Sequence, residues 1–208
     1  MPNDKRDSGI ESSIESNDDD ELVTASQGFG PLLQRDYWAV ISRCSDNPQR
    51  VIERVSRQFA EFAPAELCEF SRADGRTGAP LSVGDVLNIR IRMAGDARVR
   101  VVHQDSCSFT LGTLRGHPEA GKITFGAYRN GRGDLIFHIR SRARSSSAPK
   151  YAGFLALGDP MQTDTWTEFV NRVALTCGEG AIECVHADTV ELPGDAADLG
   201  PTFSARAA

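Results

Sequence analysis

The sequence predicts an α+β protein in which a curved antiparallel sheet of about seven strands wraps a long C-terminal helix, with one further helix after strand 1. Three observations carry this prediction. Residues 67–144 consist almost entirely of segments that alternate apolar and polar residues with period two. Short glycine-bearing breaks separate those segments, as in hairpins of an antiparallel meander. Late in the chain, Trp166, Phe169, Val170, Val173, Ala174 and Cys177 recur at helical spacing on one face.

Taken in order, residues 36–43 (DYWAVISR) read as the first strand, preceded by Gly28, Gly30 and Pro31. Asp46-Asn47-Pro48 supplies a capping residue and then proline at the first helical position, where its missing N–H costs nothing. Val51, Ile52, Val55, Phe59 and Phe62 form the apolar stripe of this helix, and Pro64 ends it. A short strand follows at 67–71. Leu87, Ile89, Ile91 and Met93 alternate with Asn88, Arg90 and Arg92, and Gly95-Asp96 marks a turn. Val99, Val101 and His103 continue the pattern, then Phe109, Leu111 and Thr113 up to Gly116-His117-Pro118. Ile123, Phe125 and Ala127 lead to the turn at 130–133, and Leu135, Phe137, Ile139, Ser141 and Ala143 form the inward face of the next strand. Gly178 is placed to stop the last helix, whose start lies at Asp159-Pro160 or at the capping box Thr165-x-x-Glu168.

Charge divides the chain into parts. Residues 1–21 hold eight carboxylates against two bases, which accounts for the whole net charge of −6 among 208 residues. With only Ile10 and Ile14 as large aliphatics, residues 1–27 read as a disordered acidic tail. Residues 28–186 are the expected folded domain, and residues 187–208, rich in Ala, Asp, Gly and Pro, read as a flexible tail. No apolar run is long enough to cross a bilayer as a helix, so membrane insertion is not expected. The polar N-terminus lacks the features of an export signal. Five cysteines without a C-x-x-C pair then suit a reduced, cytoplasmic protein, with thiols serving as small core hydrophobes.

A curved sheet closing on one helix is the helix-grip arrangement of START-like and pollen-allergen-like proteins, which this order of elements resembles. Its concave face is not filled by a single helix, so a cavity is expected between the two. Residues 110–128 (TLGTLRGHPEAGKITFGAY) carry a closer likeness. The string from Gly112 through Gly116-His117-Pro118-Glu119 to Gly121 resembles the signature of the family catalogued as domain of unknown function nineteen-ninety. Residues 98–102, residues 139–144 and Gln162 before the last helix agree with it, over roughly residues 28–177. The resemblance implies a branch of the helix-grip superfamily and no assigned activity.

The first functional expectation is a binder of a small apolar or amphipathic ligand between sheet and helix. Its candidate contacts are His103, Phe109, Leu111, Phe125, Phe137, Trp166, Phe169 and Val173, with His117 at the mouth. His117 either meets a ligand or holds its turn, and His103, in phase with Val99 and Val101, faces the apolar side. A second expectation rests on Arg90, Arg92, Arg98, Arg100, Arg140, Arg142 and Arg144, which alternate with core residues on three strands. If those strands are neighbours, the face forms an interaction module for an anionic partner or for the chain's own acidic tail. Beyond that tail the charges balance, which disfavours nucleic acid. A third possibility is an enzyme that the motifs do not reveal. No catalytic residue is assigned, since there is no G-x-S-x-G and no phosphate-binding glycine loop; no cofactor and no metal set is expected either. Oligomeric state stays open.

Overall fold

The computed structural model describes residues 20–92, 94–149 and 159–198. Among the described residues the chain runs β1 (Phe29–Val40), α1 (Pro48–Arg57), α2 (Phe59–Phe62), β2 (Cys68–Arg72), β3 (Val86–Ile91), β4 (Gly95–Gln104), β5 (Ser108–Thr113), β6 (Glu119–Arg129), β7 (Leu135–Ser145), α3 (Asp159–Cys177) and β8 (His186–Leu192). One antiparallel sheet holds all eight strands in the order β2-β3-β4-β5-β6-β7-β1-β8. Consecutive strands β2 to β7 form the meander that period-two alternation predicts. β1 closes it by pairing with β7, Tyr37 opposite Ile139 and Ala39 opposite Phe137. The helix α3 crosses the concave face against β1, β7 and α2.

The first helix starts as its sequence dictates, with Asn47 accepting from the Arg50 N–H at 2.9 Å and Pro48 in the first turn. It does not run on to Phe62. The chain breaks at Gln58 and restarts as the single turn of α2, which turns Phe59 and Phe62 inward between sheet and α3.

Three further expectations are corrected. The chain beyond residue 186 is not a loose tail at its start, because His186–Leu192 pair with Leu32–Trp38 as the edge strand β8. The Trp38 indole stacks on the His186 ring at 4.0 Å and fastens that edge. Likewise, His103 does not face the apolar side. Val101 pairs with Leu111 but His103 pairs with Thr110, so one extra residue in β4 reverses the phase. His103 therefore lies on the outer face, about half exposed, with Nε2 3.4 Å from Asp105. At the N-terminal end, residues 20–27 belong to the folded body: Leu22 bridges Leu114, the Val23 N–H donates to the Thr113 carbonyl, and a 3-10 turn follows at Ala25–Gln27. Residues 1–19 of the expected acidic tail, and the chain after 198, lie outside the described residues.

Gly121 shows how tightly β6 meets β7. Its φ is +153°, and a Cβ there would sit 2.2 Å from the Arg142 carbonyl oxygen and 2.8 Å from the Ala143 Cα. Both are backbone atoms of a paired strand and cannot step aside. Gly121→Ala is expected to lower unfolding stability by about 3 kcal/mol or more in urea titrations. A loss below about 1 kcal/mol would show that the two strands are free to separate there.

Candidate functional site

The space under α3 is mostly filled by rings. Phe109, Phe125, Phe137 and Phe169 are fully buried. Phe109 stacks on Phe125 at 5.0 Å, and Phe59 from α2 meets Phe109, Phe125 and Phe169 at 5.8, 5.1 and 5.3 Å. Val173 is buried in the same cluster. Five of the nine expected contact residues thus pack on the core or on one another, and His103 is on the other face. Leu111, His117 and Trp166 remain, and they line a cavity of about 50 Å³ at one end of the rings.

That cavity has two kinds of wall. Phe70, Ile89, Val99, Leu111, Ile123 and Trp166 make the apolar side. The other side is built on Arg35, a residue of β1 in phase with Tyr37 and Ala39, so its side chain enters the protein and is 1% exposed. Its Nη1 lies 3.4 Å from Glu119 Oε1, at the start of β6. A guanidinium removed from water needs such an answering charge. The other carboxylate oxygen, Oε2, accepts from Gln162 Nε2 at 2.9 Å. This bond fixes the amide of Gln162, because flipping it would set two acceptors face to face. Gln162 Oε1 is then buried with no hydrogen-bond partner, and so is the hydroxyl of Ser141, across the strand pair from Arg35. Both residues line the cavity.

His117 stands beside this corner and is 9% exposed. Its Nδ1 accepts the Glu119 N–H at 3.0 Å, so the ring holds the turn that presents Glu119 while lining the cavity. Both readings of this histidine are therefore compatible. Sequence reasoning missed Arg35 because it began the strand at Asp36. A cation in phase with Tyr37, Ala39 and Ile41 was the available signal. Ser141 was legible as an inward position, and Gln162 lies one turn before Trp166 on the same stripe, but nothing local joined them to Glu119.

The arginines fall into two groups. Those of β3 and β4 are neighbours, whereas β5 and β6 separate them from Arg140, Arg142 and Arg144 on β7. Arg98 and Arg100 bind Asp20, at 2.8 Å to its carboxylate and 2.9 Å to its carbonyl. Arg90 lies 3.5 Å from Asp96, Arg92 donates to the Glu66 carbonyl, and Arg144 donates to the Gly30 carbonyl. On β7, Arg140 Nε and His138 Nε2 both donate to Asp36 Oδ1, at 2.5 and 2.7 Å, while the Tyr128 hydroxyl lies within hydrogen-bond distance of His138 Nδ1, at 3.3 Å. Gln34 links Asp36 to Arg142 at 2.8 Å on each side.

Burial works against ionisation of Asp36, yet the hydrogen bonds and charges of His138 and Arg140 outweigh it and hold the carboxyl below the usual range. Among the thiols, Cys68 and Cys177 are buried and their pKa values are pushed up to about 11 by that burial, so they are protonated near neutral pH. Cys44, half-buried, also packs against the core, while Cys107 is half-buried and Cys184 exposed, so core packing describes three of the five cysteines. The described residues contain no cluster of metal-ligating groups, and none of their helices is long and apolar enough to cross a membrane.

Comparison with known proteins bears on fold and family. The sequence profile of the family described as Domain of unknown function (DUF1990) matches residues 49–172. No curated protein matches the chain. Norcoclaurine synthase from Thalictrum flavum, solved in complex with dopamine and hydroxybenzaldehyde, superposes with a TM-score of 0.50 at 8% identity, covering 70% of this chain and 87% of the synthase. A hypothetical protein of Helicobacter pylori gives a TM-score of 0.50 at 7% identity, covering 68% of this chain and 86% of that one. At such identity the likeness concerns the fold, which is the helix grip.

The Asp36 network carries a pH prediction. Because the folded state favours the carboxylate, its contribution is complete above the ordinary carboxylate range and fades as pH falls below about 4. Asp36→Asn is expected to cost about 2 kcal/mol at pH 7 and progressively less as pH falls from about 4 to about 2. A gap from wild type that stays constant over that interval would contradict the assignment.

Proposed function

The chain belongs to the DUF1990 family, and we propose that it is a small-molecule-binding protein whose recognition site is the polar end of the space between sheet and α3. The observation carrying this reading is the pair of buried, unanswered polar atoms, Ser141 Oγ and Gln162 Oε1, on the wall of one cavity. A buried polar group without a partner costs about 1–3 kcal/mol, and a bound molecule that meets both recovers that cost.

The chemistry of the corner defines the ligand. Gln162 Oε1 only accepts, the nearby Glu119 carboxylate only accepts, and Ser141 can do either. A ligand head seated at Gln162 Oε1 beside Glu119 must therefore donate: a hydroxyl or an amide N–H fits that corner, and a carboxylate does not. The remaining wall is mainly apolar, with Thr113 and Lys122 among its lining residues, so the rest of the ligand is largely hydrocarbon or aromatic. At about 50 Å³ the cavity is far below the ~300 Å³ of an ordinary small-molecule pocket. A ligand of more than a few heavy atoms must displace Trp166 or Phe70, the bulkiest apolar side chains of the wall. Norcoclaurine synthase, of the same fold, is a precedent for holding small aromatic molecules. A cytoplasmic setting suits this reading.

Benzyl alcohol, toluene and benzoate are suitable probes, followed through tryptophan fluorescence because Trp166 lines the cavity. The alcohol is expected to bind about tenfold more tightly than toluene, the worth of one to two net hydrogen bonds, and benzoate more weakly than either. Ser141→Ala with Gln162→Leu should erase the advantage of the alcohol while toluene still binds. Equal affinity of the intact chain for alcohol and benzoate, or no response to any probe, would overturn the proposal.

A further inference from the structure

At the end of α3 opposite Gln162, two thiols from distant parts of the chain meet. Gly178, just past the helix, lies flush against the end of β1: an added Cβ there would sit 2.3 Å from the Ser42 carbonyl oxygen and 2.7 Å from Ile41 Cγ2. Backbone hydrogen bonds seal the contact. The Glu179 N–H donates to the Ser42 carbonyl at 2.9 Å, and the Ser42 N–H donates to the Gly180 carbonyl at 2.8 Å. Arg43 and Glu179 add an ion pair at 3.1 Å. A second tie lies just beyond. Arg54 of α1 donates through Nη1 to the Thr176 carbonyl at 3.0 Å and reaches Asp46 Oδ2 through Nη2 at 3.2 Å. Segments 42–46 and 176–180 are therefore held together on both sides, at Ser42 and at Arg54.

Cys44 lies between those ties on one segment, and Cys177 lies between them on the other. Cys44 packs against the apolar cluster to which Cys177 belongs. Burial pushes the Cys177 thiol up to about 11, and the charges of Arg54, Cys44 and Asp46 act on it as well. We propose that Cys44 and Cys177 are a redox pair, which a hydroperoxide converts to an intramolecular disulfide joining the end of β1 to the end of α3. Cys44 is the more accessible of the two and reacts first. Its thiolate attacks one peroxide oxygen, the O–O bond breaks, and the other oxygen leaves as hydroxide, so that Cys44 becomes a sulfenic acid. Cys177 then gives up its proton and attacks that sulfur. The S–S bond forms as the S–O bond breaks, and a second hydroxide leaves. The two thiol protons end on the two hydroxides as water, so one peroxide is reduced while two thiols are oxidised. Arg54 beside Cys177 favours the thiolate that the second step needs. The pair spares Cys44 from irreversible oxidation to the sulfinic acid, and the link fastens α3 to the sheet by closing a long loop.

Peptide mapping of the full chain carrying Cys184→Ser tests the pair, because that change removes the exposed thiol and leaves one cysteine in the tryptic peptide 173–206. After hydrogen peroxide in mildly alkaline buffer, then denaturation and alkylation, most chains are expected to yield peptide 44–50 joined to peptide 173–206. Dithiothreitol should separate them. The oxidised chain should melt at least about 5 °C higher than the reduced one. Cys44→Ser, at a half-buried position, should show neither the link nor the shift. Cys44 recovered as sulfinic or sulfonic acid with Cys177 still open to alkylation, or a link formed only between two chains, would overturn the proposal. So would a link accompanied by a lower melting temperature, since the two segments would then have to leave their places to join.

Discussion

The buried charge of Arg35 is the constraint from which the site follows. A guanidinium on the inward face of β1 cannot remain there unanswered, and Glu119 answers it from the first position of β6. That demand fixes the carboxylate, the carboxylate fixes the amide of Gln162, and the amide turns its oxygen toward the cavity. His117 belongs to the same chain of causes, since its ring accepts the backbone N–H of Glu119 and sets the turn. The Gly-His-Pro-Glu string is thereby explained by what it positions. It delivers a carboxylate into the protein at the one place where β1 sends in a cation.

Against that polar corner stands an interior that is nearly full. A strongly curved sheet gripping a helix would leave a hollow, but α2 turns Phe59 into it, among Phe70, Phe109, Phe125 and Phe169. Rings at such separations contribute mutual edge and face contacts beyond the area they bury. The result is a close-packed centre with a small opening confined to the end where Ser141 and Gln162 lie. On the proposed reading, selectivity there rests on the sign of the hydrogen bonds more than on volume. The outer face obeys different rules, because its charges are partly solvated and each of its arginines is held by a carboxylate or a carbonyl of a neighbouring segment.

Much of this fold was legible in the sequence. The alternation from β3 to β7, the Asn47-Pro48 helix start and the stripe of α3 are local patterns, and each forms where its periodicity placed it. The parts that were not legible depend on partners distant in sequence. β8 is an edge strand with mostly exposed residues, so HADTVEL shows no apolar alternation and is ordered by pairing with β1. One extra residue in β4 moved His103 to the other face without any mark in composition. The candidate site divides in the same way. Phase and motif pointed to Leu111, His117 and Trp166, which line the cavity, but the unanswered atoms of Ser141 and Gln162 exist only because Arg35 and Glu119 meet across 84 residues.

A crystal structure of the full chain with benzyl alcohol tests the central claim most directly. The account predicts the hydroxyl within hydrogen-bond reach of both Gln162 Oε1 and Ser141 Oγ, the ring against Trp166 and Leu111, and the Arg35–Glu119 pair unbroken. An alcohol molecule bound elsewhere, with Gln162 Oε1 turned to some other donor of the protein, would contradict it.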